Sequence, residues 1–210
     1  MRATVGYCDN PDAALAGKRA ATLALEKDGL RDKCDFVLLF STSRHDPRIL
    51  REAVASVVGE TVPIYGGGAS GAISNDEFGY DGDQVILALF WLEGVKYDFI
   101  IQGGLADDEY LAGFSLGRKL AAAGIGPASP VMLFYDALYR VDEEIRLVMA
   151  TALLAGLKES LGFLPGLTGA GLQGDYASSL TMQWVGRDIV QHHALALIFS
   201  SEVRVDSIIM

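Results

Sequence analysis

Few side chains in this sequence have a type and spacing suited to chemistry. Cys8 lies just before Asn10-Pro11-Asp12, a helix start, and a thiolate is favoured at such a place. Ser70 sits among glycines in Gly66-Gly67-Gly68-Ala69-Ser70-Gly71. Neither residue has a base evident in the sequence, and no G-x-S-x-G elbow occurs. His192 and His193 are adjacent in an apolar run, and adjacent strand residues point to opposite faces, so the pair does not chelate one ion. His45 stands alone in a loop, and no cluster of Cys or carboxylates has metal-ligand spacing. No metal site and no catalytic residue are expected. Asp136 directly follows the apolar run Val131 to Tyr135. That is where α/β proteins place ligand-contacting side chains, although an aspartate there also caps turns.

The glycine stretch carries the remaining chemical signal. Gly66 to Gly71 satisfies G-x-G-x-x-G, but Ala72-Ile73-Ser74-Asn75-Asp76-Glu77-Phe78-Gly79 follows, which is no helix. A dinucleotide loop must open a helix whose N-terminus holds the pyrophosphate, and a Walker loop needs Lys-Ser/Thr. NAD and ATP are therefore excluded, and no cofactor is expected. Two readings stay open: a tight structural crossover, or a loop whose amides line a small-ligand pocket. A second glycine stretch, Pro165-Gly166-Leu167-Thr168-Gly169-Ala170-Gly171, places its last glycine 100 positions after Gly71. The candidate ligand-binding residues are Gly66, Gly67, Gly68, Ser70 and Gly71 in the first stretch, Thr168, Gly169 and Gly171 in the second, and Asp136.

The elements that must position these residues alternate between strand and helix. Thr4 to Tyr7 reads as a strand. The helix after Asn10-Pro11-Asp12 is rich in alanine and runs to Gly29. Phe36 to Phe40 is continuously apolar, as in a sheet covered on both faces. Asp46-Pro47 starts a second helix that ends at Gly59, and Val62 to Tyr65 leads into the glycine loop. Gln84 to Trp91 is a strong strand with Tyr97 to Gln102 as its expected neighbour. A helix over Tyr110 to Ala123, a strand over Val131 to Phe134 and a helix over Glu143 to Leu157 follow. Ser179 to Val185 and Ile189 to Phe199 read as two strands joined by a turn at Gly186-Arg187-Asp188.

The same order thus occurs twice, and Gly117-Arg118-Lys119 echoes Gly17-Lys18-Arg19 at the same 100-residue separation. The expected architecture is a single α/β domain over 1–210. It consists of two pseudo-symmetric duplicated halves, about 1–95 and 105–200, whose strands are predominantly buried.

Composition excludes several function classes. The chain has 210 residues, 50% of them hydrophobic, and a formal charge of −10. Such an acidic surface repels phosphate backbones, so nucleic acid is not an expected partner. No apolar run of about 18 residues is present, so no membrane partner is expected, and no signal-peptide core follows Met1. Cys8 and Cys34 form no framework and read as reduced thiols, which places the protein in the cytoplasm. The tail Ser207-Ile208-Ile209-Met210 is apolar and is expected to dock on this domain, a second copy or a following domain.

The residues that carry a family likeness are Val5-Gly6-Tyr7, Val37-Leu38-Leu39-Phe40-Ser41, Pro63-Ile64-Tyr65-Gly66, Gly71-Ala72-Ile73 and Asp136-Ala137-Leu138. The late Gly169-Ala170-Gly171 and Thr181-Met182-Gln183 add to them. With these the chain resembles the N-terminal domain of the FIST family. Gly67, Gly68, Ala69 and Ala72 stand where Cys, Ser, Thr and Glu are common in that family, and Ala137 follows Asp136 in place of glycine. The resemblance implies a non-catalytic sensory domain of intracellular signal transduction that recognises a small molecule such as an amino acid. It implies that the C-terminal partner domain is absent from this chain, and that the partner is that domain or a downstream signalling protein. A haem-binding gas (nitric oxide) sensor, an oligomerisation module without a ligand, and an enzyme using Cys8 or Ser70 are the rival readings.

Overall fold

The computed structural model describes residues 1–27, 29, 33–175 and 181–200. In chain order the elements are β1 (Arg2–Asp9), α1 (Ala13–Glu26), β2 (Phe36–Ser41), α2 (Pro47–Val58), β3 (Ile64–Gly68), β4 (Gly71–Ile73), β5 (Phe78–Tyr80), β6 (Gln84–Trp91), β7 (Tyr97–Gln102), α3 (Glu109–Ala122), β8 (Pro130–Asp136), β9 (Leu138–Val141), β10 (Glu144–Leu147), α4 (Ala150–Leu161), β11 (Gly166–Leu172), β12 (Gln183–Gly186), β13 (Asp188–Val190) and β14 (Ala194–Phe199). The described residues therefore form a mixed α/β structure with four helices and several sheets. It forms two compact units. The first joins Met1–Glu93 to Gln173–Val190, and the second joins Gly94–Leu172 to the described residues from Gln191.

The first unit holds a six-stranded sheet in the order β1-β6-β2-β3-β12-β13. Only β2 and β3 run parallel; the other pairs are antiparallel. Val37, Leu39, Ile64, Val85, Leu87 and Leu89 point to one face and form a core with α1 and α2. Helix α1 is thin on its packed side, where Ala16, Gly17, Ala20, Ala21 and Ala24 are buried. It therefore lies close on β1: a Cβ on Gly6 would come within 1.9 Å of the Ala20 carbonyl oxygen. The N-cap of α1 is Asp12, whose Oδ1 accepts from the Leu15 amide at 2.9 Å, and Asn10 instead accepts the Asp12 amide. Asp46 caps α2 with Pro47 at its first position, as its sequence dictates.

The second unit has a four-stranded sheet in the order β11-β8-β14-β7. Here β11 and β8 run parallel, and β14 is antiparallel to both β8 and β7. Val131, Leu133, Ala194, Ala196 and Ile198 meet Leu116, Leu120, Leu153 and Leu157 of α3 and α4. The two helices pack closely because Gly113 of α3 lies under the Leu153 carbonyl of α4.

Four local expectations change. Gly66 to Gly68 are strand, not loop. Strand β6 pairs with β1 and β2, while β7 pairs with β14. The segment before α4 is not helical: Leu138–Val141 and Glu144–Leu147 form a hairpin that turns at Asp142, which has φ +55°. The turn at Gly186 does form, but it joins β12 to β13 at the edge of the first sheet, and Ala194–Phe199 is a separate strand of the second. Ser179, Leu180 and the tail Ser207–Met210 lie outside the described residues.

Candidate functional site

Alternation along a strand sends every second side chain away from the helices. In the first sheet these are Val5, Leu38, Phe40, Ile86 and Ala88, whose neighbours Thr4, Leu39 and Leu87 face the other way. A cavity of about 830 Å³ opens against this face. The five apolar residues form its floor, and Gly71 to Asp76 form one wall. That wall comes from the β4–β5 hairpin, pinned where the Ser74 amide donates to the Glu77 carbonyl at 2.7 Å. The rim carries both signs of charge. Lys27, at the end of α1, donates to Asp76 at 2.8 Å, and the two side chains are 49% and 64% exposed. Ile73, Phe78 and Tyr80 on the hairpin are exposed.

Of the residues expected in the first glycine stretch, Gly71 lines this cavity. Gly66, Gly67 and Gly68 are buried in β3, between β2 and β12. The Gly68 amide donates to the Met182 carbonyl at 3.2 Å. Ser70 lies beyond the strand end, and its hydroxyl accepts from the Gln173 side-chain amide at 2.7 Å. At the ends of β1, β2 and β6 lies a polar network that runs from the exposed Asp9 to the buried Gln84, Thr42 and His45. Asp9 accepts from the Asp83 amide at 3.0 Å and from Gln84 Nε2 at 2.9 Å. Thr42 donates to the Gly82 carbonyl at 2.8 Å, and His45 Nε2 lies 3.0 Å from the Asp83 carbonyl oxygen. This network fixes the turn that feeds β6.

In the second unit Asp136 is fully buried at the end of β8. Its carboxylate accepts from the His193 amide at 3.3 Å, and its own amide donates to the His193 carbonyl at 3.1 Å. Thr168, Gly169 and Gly171 lie in β11 beside β8, so Gly171 pairs with Tyr135, next to Asp136. Gly169 has φ +140°. The histidines are not gathered: His193 Nδ1 contacts the Gln191 carbonyl at 2.5 Å, and the His192 ring packs near Tyr139. Among the described residues no cluster of three or more His, Cys, Asp or Glu could hold a metal.

The thiols are buried and free. Burial pushes the Cys8 thiol up despite the opposing charge of Arg19, and pushes Cys34 up to about 11. Burial, helped by Asp9, Glu77 and Cys8, also raises Tyr7, and burial raises Tyr135. The floor residues of the cavity escaped the sequence reading. Their one signal is Ala88, a small side chain inside the otherwise bulky run Val85 to Trp91.

The first unit is thus an α/β layer with helices on one face of its sheet and a partly apolar, charge-rimmed cavity on the other. The FIST N domain matches residues 35–210, and the chain belongs to the FIST family, whose members are sensory domains of signal transduction. No curated protein matches the chain. Among solved structures, the crystal structure of cyanuric acid hydrolase from A. caulinodans is similar at a TM-score of 0.37 and 14% identity, covering 93% of this chain and 70% of that one. No helix among the described residues is long and apolar enough to cross a membrane.

Proposed function

We propose that this chain is a non-catalytic, cytoplasmic input domain whose ligand is a small zwitterion, foremost an amino acid with an apolar side chain. The observation that carries this is the cavity of the first unit, with the Lys27–Asp76 pair at its rim. Its volume suits a small-molecule site, since such pockets span about 300–1,000 Å³. Leu38, Phe40, Ile86 and Ala88 offer an apolar floor to a side chain. Lys27 offers an ammonium to a carboxylate, and Asp76 a carboxylate to an ammonium. Both are half-exposed or more, and a pair of that kind is worth about 0–1 kcal/mol, so exchanging it for ligand contacts costs little. No histidine lines the cavity, which supports a metabolite over haem. Two raised thiol pKa values and a Ser70 hydroxyl held by an amide support binding over covalent chemistry. The bound state would be relayed to a C-terminal domain or a separate signalling protein.

The test is a thermal-shift screen of amino acids and central metabolites. A ligand at a hundredfold excess over its Kd stabilises by about 2.7 kcal/mol. At least one apolar amino acid should raise the melting temperature, and the Lys27→Met, Asp76→Asn double variant should lose that response. A wild type that responds to none, or a double variant that responds equally, would overturn the reading. A Soret band with a haem-dependent shift would put the gas sensor in its place.

We further infer that the two units descend from one duplicated ancestor. Supporting this, β1-β6-β2-β3 and β7-β14-β8-β11 share order and strand directions. Asp12 caps α1 through the Leu15 amide, and Asp108 caps α3 through the Leu111 amide. Gly66 lies under the Leu39 carbonyl, and Gly169 under that of Leu133. The offsets of these matches vary: 96 for the aspartates, 94 for the leucines and 103 for the glycines. Gly171 then corresponds to Gly68 and not to Gly71, so the constant 100-residue spacing is not the relationship that supports duplication.

A further inference from the structure

The N-terminal half of α2 and the β12–β13 hairpin enclose a second cleft in the first unit, of about 440 Å³. Arg48, Arg51 and Arg187 line it, with Glu52, Asp188, Ile189 and Val190. Three features of it are unusual for a chain of −10 net charge.

The first is that the arginines form no ion pair among the described residues. Among the described residues none of the three lies within 4.0 Å of a carboxylate oxygen, although 27 acidic residues are present in the chain. Arg51 Nε is buried and has no acceptor among the described residues. A buried, unsatisfied charged donor is costly, so it calls for an acceptor.

The second is position. Arg48 and Arg51 belong to the first part of α2, and the first turn of that helix holds no acid. The N-terminal end of a helix carries a partial positive charge that repels cations and attracts anions. Asp46, the N-cap, offsets part of this, but its Oδ1 is already engaged by the Arg48 and Ile49 amides at 2.8 and 3.0 Å. Two guanidiniums at this place disfavour the empty cleft and favour an anion in it.

The third is rigidity. Trp184 is fully buried, and its indole N–H donates to the Pro47 carbonyl at 3.1 Å. Arg51 Nη2 donates to the Gly186 carbonyl at 3.3 Å. Hairpin and helix are thus fastened at two points, and the arginines stand on a built frame.

We propose that this cleft binds a hydroxylated organic phosphate, a sugar phosphate in kind. Guanidinium forks match phosphate oxygens in pairs. Glu52 and Asp188 accept from hydroxyl groups, and Ile189 and Val190 give the carbon skeleton an apolar wall. The two carboxylates also limit the net positive charge, which disfavours a highly charged polyanion.

The test is isothermal titration of the full chain with glucose 6-phosphate, inorganic phosphate and glucose at low ionic strength. Glucose 6-phosphate should bind, inorganic phosphate should bind more weakly, and glucose should give no heat. The Arg48→Gln, Arg187→Gln double variant changes only exposed side chains. It should keep the unliganded melting temperature and lose at least tenfold in affinity. Arg51→Lys should also weaken binding, because a lysine has no fork. Absence of binding by wild type, equal affinity for sugar phosphate and inorganic phosphate, or unchanged affinity in the double variant would each overturn the assignment.

Discussion

Gly66 lies directly across the β2–β3 ladder from Leu39, and a Cβ on Gly66 would stand 2.0 Å from the Leu39 carbonyl oxygen. Its φ of +122° is equally closed to an L side chain. Gly169 has the same relationship to Leu133, at 1.9 Å and φ +140°. Each glycine is thus required by the backbone of its own sheet. Gly66→Ala and Gly169→Ala should each lower stability by about 3 kcal/mol or more, since strain and overpacking each cost roughly 1–3 kcal/mol. Urea melts of both variants check this. A loss under about 1 kcal/mol in either would show that the strand can shift to admit a methyl group.

That result bears on what the sequence made legible. Helix starts at Asp46 and near Asp12 and Asp108 were readable because a cap is local chemistry. The apolar strands were readable because β2 and β6 are bulky and apolar at most positions. The role of Gly66 to Gly68 was not, because glycine marks close approach without saying of what. Here the close neighbour is another strand, and Gly68 is walled by Gly174 with its Cβ position 3.2 Å from the Gly174 Cα. Gly68→Val is therefore expected to disturb the fold, not merely a ligand. Ile145, Val148 and Met149 mimic a helical stripe, yet Glu144 to Leu147 pair with β9, since the Asp142 turn returns the chain on itself. The cavity was hidden because its walls come from β1, β2, β6 and the β4–β5 hairpin, and only Ala69 and Gly71 belonged to the glycine stretch.

Helix α4 offers a gain in stability. Its N-cap, Met149, has the extended backbone of a cap (φ −80°, ψ 97°) but no side-chain hydrogen bond, and it is 55% exposed. Met149→Ser should stabilise the protein by about 0.5–1 kcal/mol by accepting an orphan amide. Serine suits the place better than aspartate, because Glu109 Oε1 already lies 3.4 Å from the Met149 amide. A thermal melt that does not rise would show that the cap is already satisfied by other means.

Cys34 sets a pH dependence. Its thiol is pushed up to about 11, first by burial and then by Asp35. The unfolded chain releases that proton from about pH 8.5 upward, whereas the folded chain holds it. Unfolding is then favoured by rising pH, so this contribution is complete below about 8.5 and is lost progressively towards 11. Cys34→Ala should flatten the fall in stability between those limits relative to wild type, in denaturant melts taken at several pH values. Parallel curves for the two proteins would mean that the thiol does not titrate in that window.

The cavity itself can be closed from its floor. Ala88 stands between Val5 and Leu38, and its small side chain leaves open the space that bulkier neighbours would fill. Ala88→Leu adds apolar groups to that space, each buried CH₂ being worth about 0.8 kcal/mol. The unliganded protein should be as stable as wild type or up to about 2 kcal/mol more so. The thermal shift caused by an amino acid should disappear, although Lys27 and Asp76 are untouched. This separates the floor from the rim: a ligand held only by the exposed ion pair would still bind Ala88→Leu with wild-type affinity. A ligand seated against the sheet would not, and the position of Ala88 within β6 is what makes that distinction measurable.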